Sequence, residues 1–209
     1  MDATIIERYF SLTDRQKEQF GRMGELYAEW NAKINVISRK DIENIYPHHI
    51  LHSLAIARFI NPVEGTVFLD MGCGGGFPGI PLATLWPHCR FHLIDRIAKK
   101  IRVAEDVARC LGLENVSFQH GDIGECRERY DFVVSRAVMA MGELLPLVRK
   151  NIARECRNGY PNGVIALKGG DLRGEMSVIR HPYIEEDLSR YFHEDYFKTK
   201  KLVYVDMMS

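Results

Sequence analysis

The chain passes from a strand to a helix within residues 69–79, whose sequence is LDMGCGGGFPG. Residues 66–69 are mostly apolar and follow a glycine, which predicts a buried strand. Pro78 suits the first turn of a helix, since the amide hydrogen that proline lacks has no partner there. Glycines between strand and helix let a ligand approach bare backbone and meet the amide groups of the helix start. The segment therefore predicts a ligand-binding loop.

Asp70, at the end of this strand, distinguishes between two cofactors that use such a loop. Residues 74–79 match G-x-G-x-x-G, the fingerprint of dinucleotide-binding proteins, in which a pyrophosphate lies on the loop. The Asp70 carboxylate would repel a pyrophosphate, whereas it suits the ammonium and sulfonium groups of S-adenosylmethionine. The spacing of Asp70, Gly72, Gly74 and Gly76 also resembles the first motif of the Rossmann-like methyltransferases. We expect S-adenosylmethionine, and a nicotinamide-dependent oxidoreductase is the alternative.

Composition sets limits on the class of protein. With 209 residues, 46% hydrophobic and 27% charged, the chain can form one globular core with a small appendage. No apolar run has the length of a membrane span, and the first residues do not resemble a signal peptide. The five cysteines are never spaced C-x-x-C, which favours reduced thiols. We expect a cytoplasmic monomer that does not bind a membrane.

The charge balance bears on possible partners. The 28 basic residues equal the 28 acidic ones, so the net charge is zero. This balance argues against a protein that coats nucleic acid by bulk electrostatics, but it allows a local basic face.

The pattern along the chain changes near residue 60. Residues 1–60 predict a helical subdomain, with a capping box at residues 13–16 and an apolar face that recurs every three or four residues. Residues 61–209 alternate strands and helices, which predicts a Rossmann-like α/β domain: a mostly parallel seven-stranded sheet with helices on both faces. The predicted strands are 66–70, 90–95, 116–120, 130–135, 163–168 and 202–205, with a further one near 188–192.

Ligands of such sheets bind at the carboxyl ends of the strands, so the residues at the strand ends are the candidates for binding. Asp95 ends the second strand, 25 residues after Asp70, where an acidic side chain commonly binds the ribose hydroxyls. Ile123 and Gly124 follow the third strand, and Arg136 ends the fourth. Lys168 ends the fifth strand.

Other residue types limit the chemistry. The histidines at 48, 49 and 52 lack the glutamate and third ligand of a zinc site, so we expect no metal. Cys73 lies in the loop and is expected to line it rather than act as a nucleophile. After the fourth strand stands Ser-Arg-Ala, not the Asn- or Asp-Pro-Pro-aromatic sequence of enzymes that methylate the amino group of adenine. The target atom is therefore expected to carry a free lone pair.

Several motifs, in order along the chain, resemble those of the glucose-inhibited division protein B family, the 16S ribosomal RNA (guanine-N7) methyltransferases. The matching segments are WN-x-x-x-N at 30–35, HIL-x-S at 49–53, D-x-G-x-G-x-GFPGIPL at 70–82, SRA at 135–137 and ALKG at 166–169. The resemblance implies S-adenosylmethionine as the cofactor, and 16S ribosomal RNA or the small ribosomal subunit as the partner. This chain differs from the family pattern at His48, where the family often has arginine, and at His52, where the family often has aspartate.

The resemblance also implies roles for individual residues. The methyl donor is expected to contact Gly72, Phe77, the backbone at residues 123–124, and Arg136. Candidates for binding the substrate are Asn35, Arg39, Arg136 and Lys168, and Tyr46 is expected either to stack on a base or to pack at a helix end. A non-catalytic RNA-binding or ribosome-assembly module is the remaining alternative.

Overall fold

The computed structural model describes residues 2–38 and 40–209. Its first two helices are α1, Thr4–Glu7, and α2, Asp14–Lys33. The predicted capping box at the start of α2 is confirmed: the Gln16 amide donates to the Thr13 side chain, and the Thr13 amide donates to the Gln16 side chain. The apolar face of α2 is buried, as the periodicity predicts.

Helical segments follow one another from Ile42 to Phe59. A 3₁₀ turn over Ile42–Asn44 leads into a π-helical segment, Ile45–Leu51, and then into α3, His52–Leu54, and α4, Ile56–Phe59. Pro47 falls in the first turn of the π-helical segment, where its missing amide hydrogen breaks no bond within the segment.

Seven strands form one sheet in the order β3-β2-β1-β4-β5-β7-β6, which confirms the predicted fold class. Only β7 runs antiparallel to its neighbours. The strands are β1 Val67–Met71, β2 Arg90–Asp95, β3 Val116–His120, β4 Phe132–Arg136, β5 Gly163–Gly169, β6 Tyr183–Asp187 and β7 Lys200–Asp206. The remaining helices are α5 Gly79–Leu85, α6 Ala98–Cys110, α7 Met141–Val148 and α8 Arg173–Met176.

The prediction of a strand near residues 188–192 is wrong. The edge strand β6 precedes that segment, and residues Leu188–Arg190 form a 3₁₀ turn. Leu188 and Phe192 are both buried, and their spacing of four residues is a helical period rather than the period of two found in strands. The charged residues of β6 obscured its alternation in the sequence.

The N-terminal helices pack directly on one face of the sheet. The stacked rings of Phe68, Phe91 and Phe132 belong to the same buried cluster as Phe20 of α2 and Leu54 of α3. A second cluster, on the opposite face, joins the sheet to α7. The division of the chain into residues 1–60 and 61–209 stays a prediction. In the described part of the chain, no helix combines the length and apolarity that crossing a membrane requires.

Candidate functional site

A cleft of about 520 Å³ opens at the carboxyl ends of β1, β2, β3 and β4, and we call it the strand-end cleft. Six of the predicted site residues line it: Gly72, Gly74, Phe77, Asp95, Ile123 and Arg136. Asp70, Gly76 and Gly124 are not on its wall. Sequence reasoning did not identify Val36, Lys100, Val138 and Met139 as lining residues, because none belongs to a recognisable motif.

The glycine loop has the backbone that its sequence predicts. Gly72 has a φ of +70° and Gly76 a φ of +111°, in the region that favours glycine. A Cβ on Gly72 would come within 2.7 Å of Cγ2 of Val138, which lines the cleft. A Cβ on Gly76 would come within 2.5 Å of Cγ1 of Ile80, so Gly76 serves the folding of the loop. Burial raises the pKa of the Cys73 thiol well above its usual value, which opposes a nucleophilic role.

Asp95 connects the end of β2 to the glycine loop. Its Oδ2 atom accepts a hydrogen bond of 2.8 Å from the Gly74 amide, and its Oδ1 atom accepts one of 2.8 Å from the Ile97 amide at the start of α6. Each oxygen has a second lone pair, because a carboxylate can accept about four hydrogen bonds. Asp95 can therefore hold the loop and bind hydroxyl groups of a ligand at the same time.

Asp70 lies beneath the loop and is fully buried. Its Oδ2 atom accepts a 2.7 Å hydrogen bond from the Gly79 amide, at the start of α5, whereas its Oδ1 atom has no partner. Burial is the largest influence on this carboxyl and raises its pKa to about 7. A carboxyl that is costly to ionise favours a cationic ligand in the cleft next to it, through its electric field rather than by contact.

The raised pKa of Asp70 predicts a pH dependence of stability. The folded protein binds the Asp70 proton more tightly than the unfolded chain, in which the pKa of this carboxyl is 3.8. The free energy of unfolding therefore falls as the pH rises from 4 through 7. A shift of this size corresponds to about 4 kcal/mol. In Asp70→Asn the amide oxygen can still accept from Gly79, but the titration is gone.

We therefore expect wild type to lose about 4 kcal/mol more unfolding free energy than Asp70→Asn between pH 4 and pH 8. Urea denaturation of both proteins without ligand, over this pH range, measures the difference. Parallel curves for the two proteins would show that Asp70 does not titrate there.

Arg136, at the end of β4, is held on three sides. One terminal nitrogen donates to the His48 carbonyl at 3.4 Å and the other donates to Nδ1 of His49 at 3.1 Å. The guanidinium carbon lies 5.0 Å from the centre of the Phe77 ring, which is a cation–π arrangement. Both Arg136 and Phe77 line the strand-end cleft.

The three histidines between residues 48 and 52 form polar contacts with other side chains. His48 and His49 each bond to one oxygen of Asp41, at 2.6 and 2.8 Å. Nδ1 of His52 lies 3.2 Å from the Tyr196 hydroxyl, and the His48 ring stacks on the Tyr196 ring. In the described residues, no group of three or more histidine, cysteine, aspartate or glutamate side chains is placed to hold a metal ion.

The candidates for substrate binding lie in different surroundings. Asn35 is exposed and directly precedes Val36, which lines the cleft, whereas Arg39 lies outside the described residues. Lys168 pairs with Glu175 at 2.7 Å, and its side chain is only 9% exposed. Lys168 also donates to the Met139 carbonyl, so it supports the loop that forms one wall of the cleft.

Two further aspects of the site concern Gly124 and Tyr46. The Gly124 amide donates to the Asp122 side chain, and the Gly124 carbonyl accepts from Lys150. Tyr46 is buried, and its hydroxyl donates to the Phe20 carbonyl and accepts from the Gly24 amide. Of the two roles expected for Tyr46, the structure supports packing against a helix.

The strand-end cleft fits S-adenosylmethionine better than a dinucleotide. A Cβ on Gly74 would meet no atom within 4 Å, so the loop backbone lies open to a ligand there. The buried Asp70 carboxyl behind the loop, with its unpaired Oδ1 atom, suits positive charge. The antiparallel strand β7 between β5 and β6 also departs from the usual strand order of dinucleotide-binding folds.

Comparison with known proteins shows to which family the chain is related. A family model described as rRNA small subunit methyltransferase G matches residues 16–195. Ribosomal RNA small subunit methyltransferase G of Phocaeicola vulgatus is 53% identical over 202 residues, covering 96% of this chain and 97% of that protein. The Porphyromonas gingivalis protein of the same name is 55% identical over 205 residues, covering 97% and 93%.

Among solved structures, magnesium protoporphyrin IX methyltransferase of Synechocystis, with bound S-adenosylmethionine, is similar in fold. The TM-score is 0.57 at 15% sequence identity, covering 94% of this chain and 98% of that one. The sequence motifs, the order of strands in the sheet and the relatives matched over nearly their full length all indicate a methyltransferase. This chain belongs to the rRNA small subunit methyltransferase G family.

Proposed function

We propose that the protein transfers a methyl group from S-adenosylmethionine to N7 of a guanine in 16S ribosomal RNA. The observation that carries this proposal is the strand-end cleft, in which the glycine loop, Asp95 and Arg136 converge within a family of ribosomal RNA methyltransferases. The names of the relatives supply the class of substrate. The resemblance of the motifs implies guanine N7 as the atom.

The surroundings of Arg136, at the end of β4, support the proposal that the target atom carries no proton. Guanine N7 carries a lone pair and no hydrogen, so its methylation needs no general base. His49 is a titratable group in contact with Arg136, but its Nδ1 atom accepts from Arg136 and its Nε2 atom is bonded to Asp41. Neither ring nitrogen is free to take a proton from a substrate, and arginine does not titrate in the working range.

The residues of the cleft would then work by binding and orientation. S-adenosylmethionine supplies, when bound, a methyl group on a positively charged sulfur. Gly72 and Gly74 leave the loop backbone accessible, Asp95 would bind the ribose hydroxyls, and the backbone at Ile123 and Gly124 would contact the donor. Arg136 would orient the donor or the guanine. Holding the two reacting atoms at near-attack distance can supply several kcal/mol.

The surface around the cleft supports an RNA interface with few phosphate contacts. Lys198 pairs with Asp195, and Lys201 pairs with Glu185 and Asp187. Lys200 lies over the Tyr196 ring at 4.6 Å. Because most of the basic residues near the end of the chain are paired, recognition would rest on the shape of the cleft and on an unstacked base rather than on charge alone.

The proposal is tested by mapping N7-methylguanine in 16S ribosomal RNA from cells with and without the gene. We expect one methylated guanine to disappear on deletion and to return when wild type, but not Arg136→Met, is expressed. Purified protein should also methylate RNA or small subunits from the deletion strain. An unchanged methylation map would contradict the proposal. Donor binding without transfer to any of these substrates would favour a non-catalytic ribosome-assembly module.

A further inference from the structure

We propose that Asp41 and His49 are positioning residues, which hold the Arg136 guanidinium against Phe77 in the strand-end cleft. Both residues come from the helical part of the chain before the sheet, whereas Arg136 ends β4. The inference rests on the proposed function in one respect, namely that Arg136 contacts the methyl donor.

The contacts form a continuous chain of hydrogen bonds. Nη2 of Arg136 lies 3.1 Å from Nδ1 of His49, and Nε2 of His49 lies 2.8 Å from Oδ2 of Asp41. The other oxygen of Asp41 bonds to Nδ1 of His48 at 2.6 Å. The His49 ring also lies against Phe77, with 5.6 Å between the ring centres. Arg136 and its support therefore enclose the same aromatic ring.

The direction of these bonds follows from the chemistry of the groups. Arginine only donates hydrogen bonds, so Nδ1 of His49 must accept and must carry no proton. The proton of neutral His49 then resides on Nε2 and is donated to Asp41. Burial and the Arg136 cation lower the pKa of His49 to about 4, so this neutral form is present near pH 7. Asp41 thus selects the tautomer of His49 that can accept from Arg136.

A neutral support leaves the charge of Arg136 available to a ligand. Among residues 2–38 and 40–209, no carboxylate lies within ion-pair distance of the Arg136 guanidinium. A carboxylate in direct contact would neutralise the cation before a ligand bound. His49 instead fixes the plane of the guanidinium while Asp41 remains one side chain away. Three of the five N–H groups of Arg136 stay unused by His48 and His49.

The test compares three substitutions of His49 by the binding of S-adenosylmethionine, measured by calorimetry. In His49→Asn an amide oxygen can take the place of Nδ1. His49→Gln instead places its amide at the position of Nε2, and His49→Ala removes the groups at both positions. We expect His49→Asn to bind the donor within about threefold of wild type, and His49→Gln and His49→Ala to bind it about tenfold or more weakly. His193→Gln is the matched control, because His193 is exposed and does not line the cleft.

A double-mutant cycle separates this role from a general structural one. In an Arg136→Met background, His49→Ala should change donor affinity by less than about twofold, since the group that it orients is gone. NMR correlation of the ring nitrogens should show the Nε2–H tautomer of His49 in wild type and a mixture in Asp41→Ala.

Three outcomes would overturn the inference: wild-type donor affinity in folded His49→Ala, equal losses of affinity in His49→Asn and His49→Ala, or an undiminished loss of affinity from His49→Ala in the Arg136→Met background. If wild type itself did not bind S-adenosylmethionine, the proposed function would fail instead. If wild type bound the donor but the His49 variants bound it equally well, only the positioning role would fail.

Discussion

Gly72→Ala is expected to lower the rate of methyl transfer about 100-fold, since a displacement of about 1 Å at a reacting centre can cost that much. The new Cβ would lie 2.7 Å from Cγ2 of Val138, so the wall of the cleft must move outward. Alanine at a φ of +70° adds about 1–2 kcal/mol of backbone strain. Single-turnover transfer and calorimetric donor binding measure the effect, and both should decline while the protein stays folded.

Gly21→Ala is the matched control for this substitution. Gly21 lies in α2, and its Cβ would meet no atom within 4 Å. Alanine is about 0.5–1 kcal/mol more favourable than glycine within a helix, so this variant should be slightly more stable and fully active. Wild-type donor affinity and rate in folded Gly72→Ala would refute the assignment of the loop.

Arg136→Lys is expected to lose about 100-fold or more in methyl transfer, although the positive charge is kept. Lysine has no planar fork: its three donors sit on one nitrogen, so it cannot reach the His48 carbonyl and His49 from two separate nitrogens and still present a pair of parallel donors to a ligand. Charge-assisted hydrogen bonds contribute about 1.5–3 kcal/mol each, and 1.4 kcal/mol is a factor of ten. Transfer rates at saturating donor and RNA, together with donor affinity, measure the loss.

Arg109→Lys provides the control for the change of side chain. Arg109 is 73% exposed on α6, where it pairs with Asp106, and it is not part of the strand-end cleft. Its replacement should change neither rate nor affinity. If Arg136→Lys retained most of its activity, charge alone would be sufficient, and both the orienting role of Arg136 and its support by His49 would need revision.

The glycine-loop residues of the cleft could be predicted because they are close together in the sequence. The glycine loop encodes its own backbone, since positive φ at Gly72 and Gly76 follows from the absence of a Cβ. Asp95 could be placed by its distance from the loop, because one strand–helix–strand unit has a characteristic length. Asp70 was expected to face the ligand, but its burial beneath the loop depends on α5 packing over it.

The fold class and the positions of most strands along the chain were thus determined by the sequence itself, through local backbone preferences and apolar periodicity. Only the tertiary structure joined Asp41 and His49 to Arg136, and Lys168 to Glu175. These partners lie on different elements, and no local preference encodes which side chains meet. Their contacts depend on how the N-terminal helices pack on the sheet and on how the segment that carries α8 folds back to the end of β5.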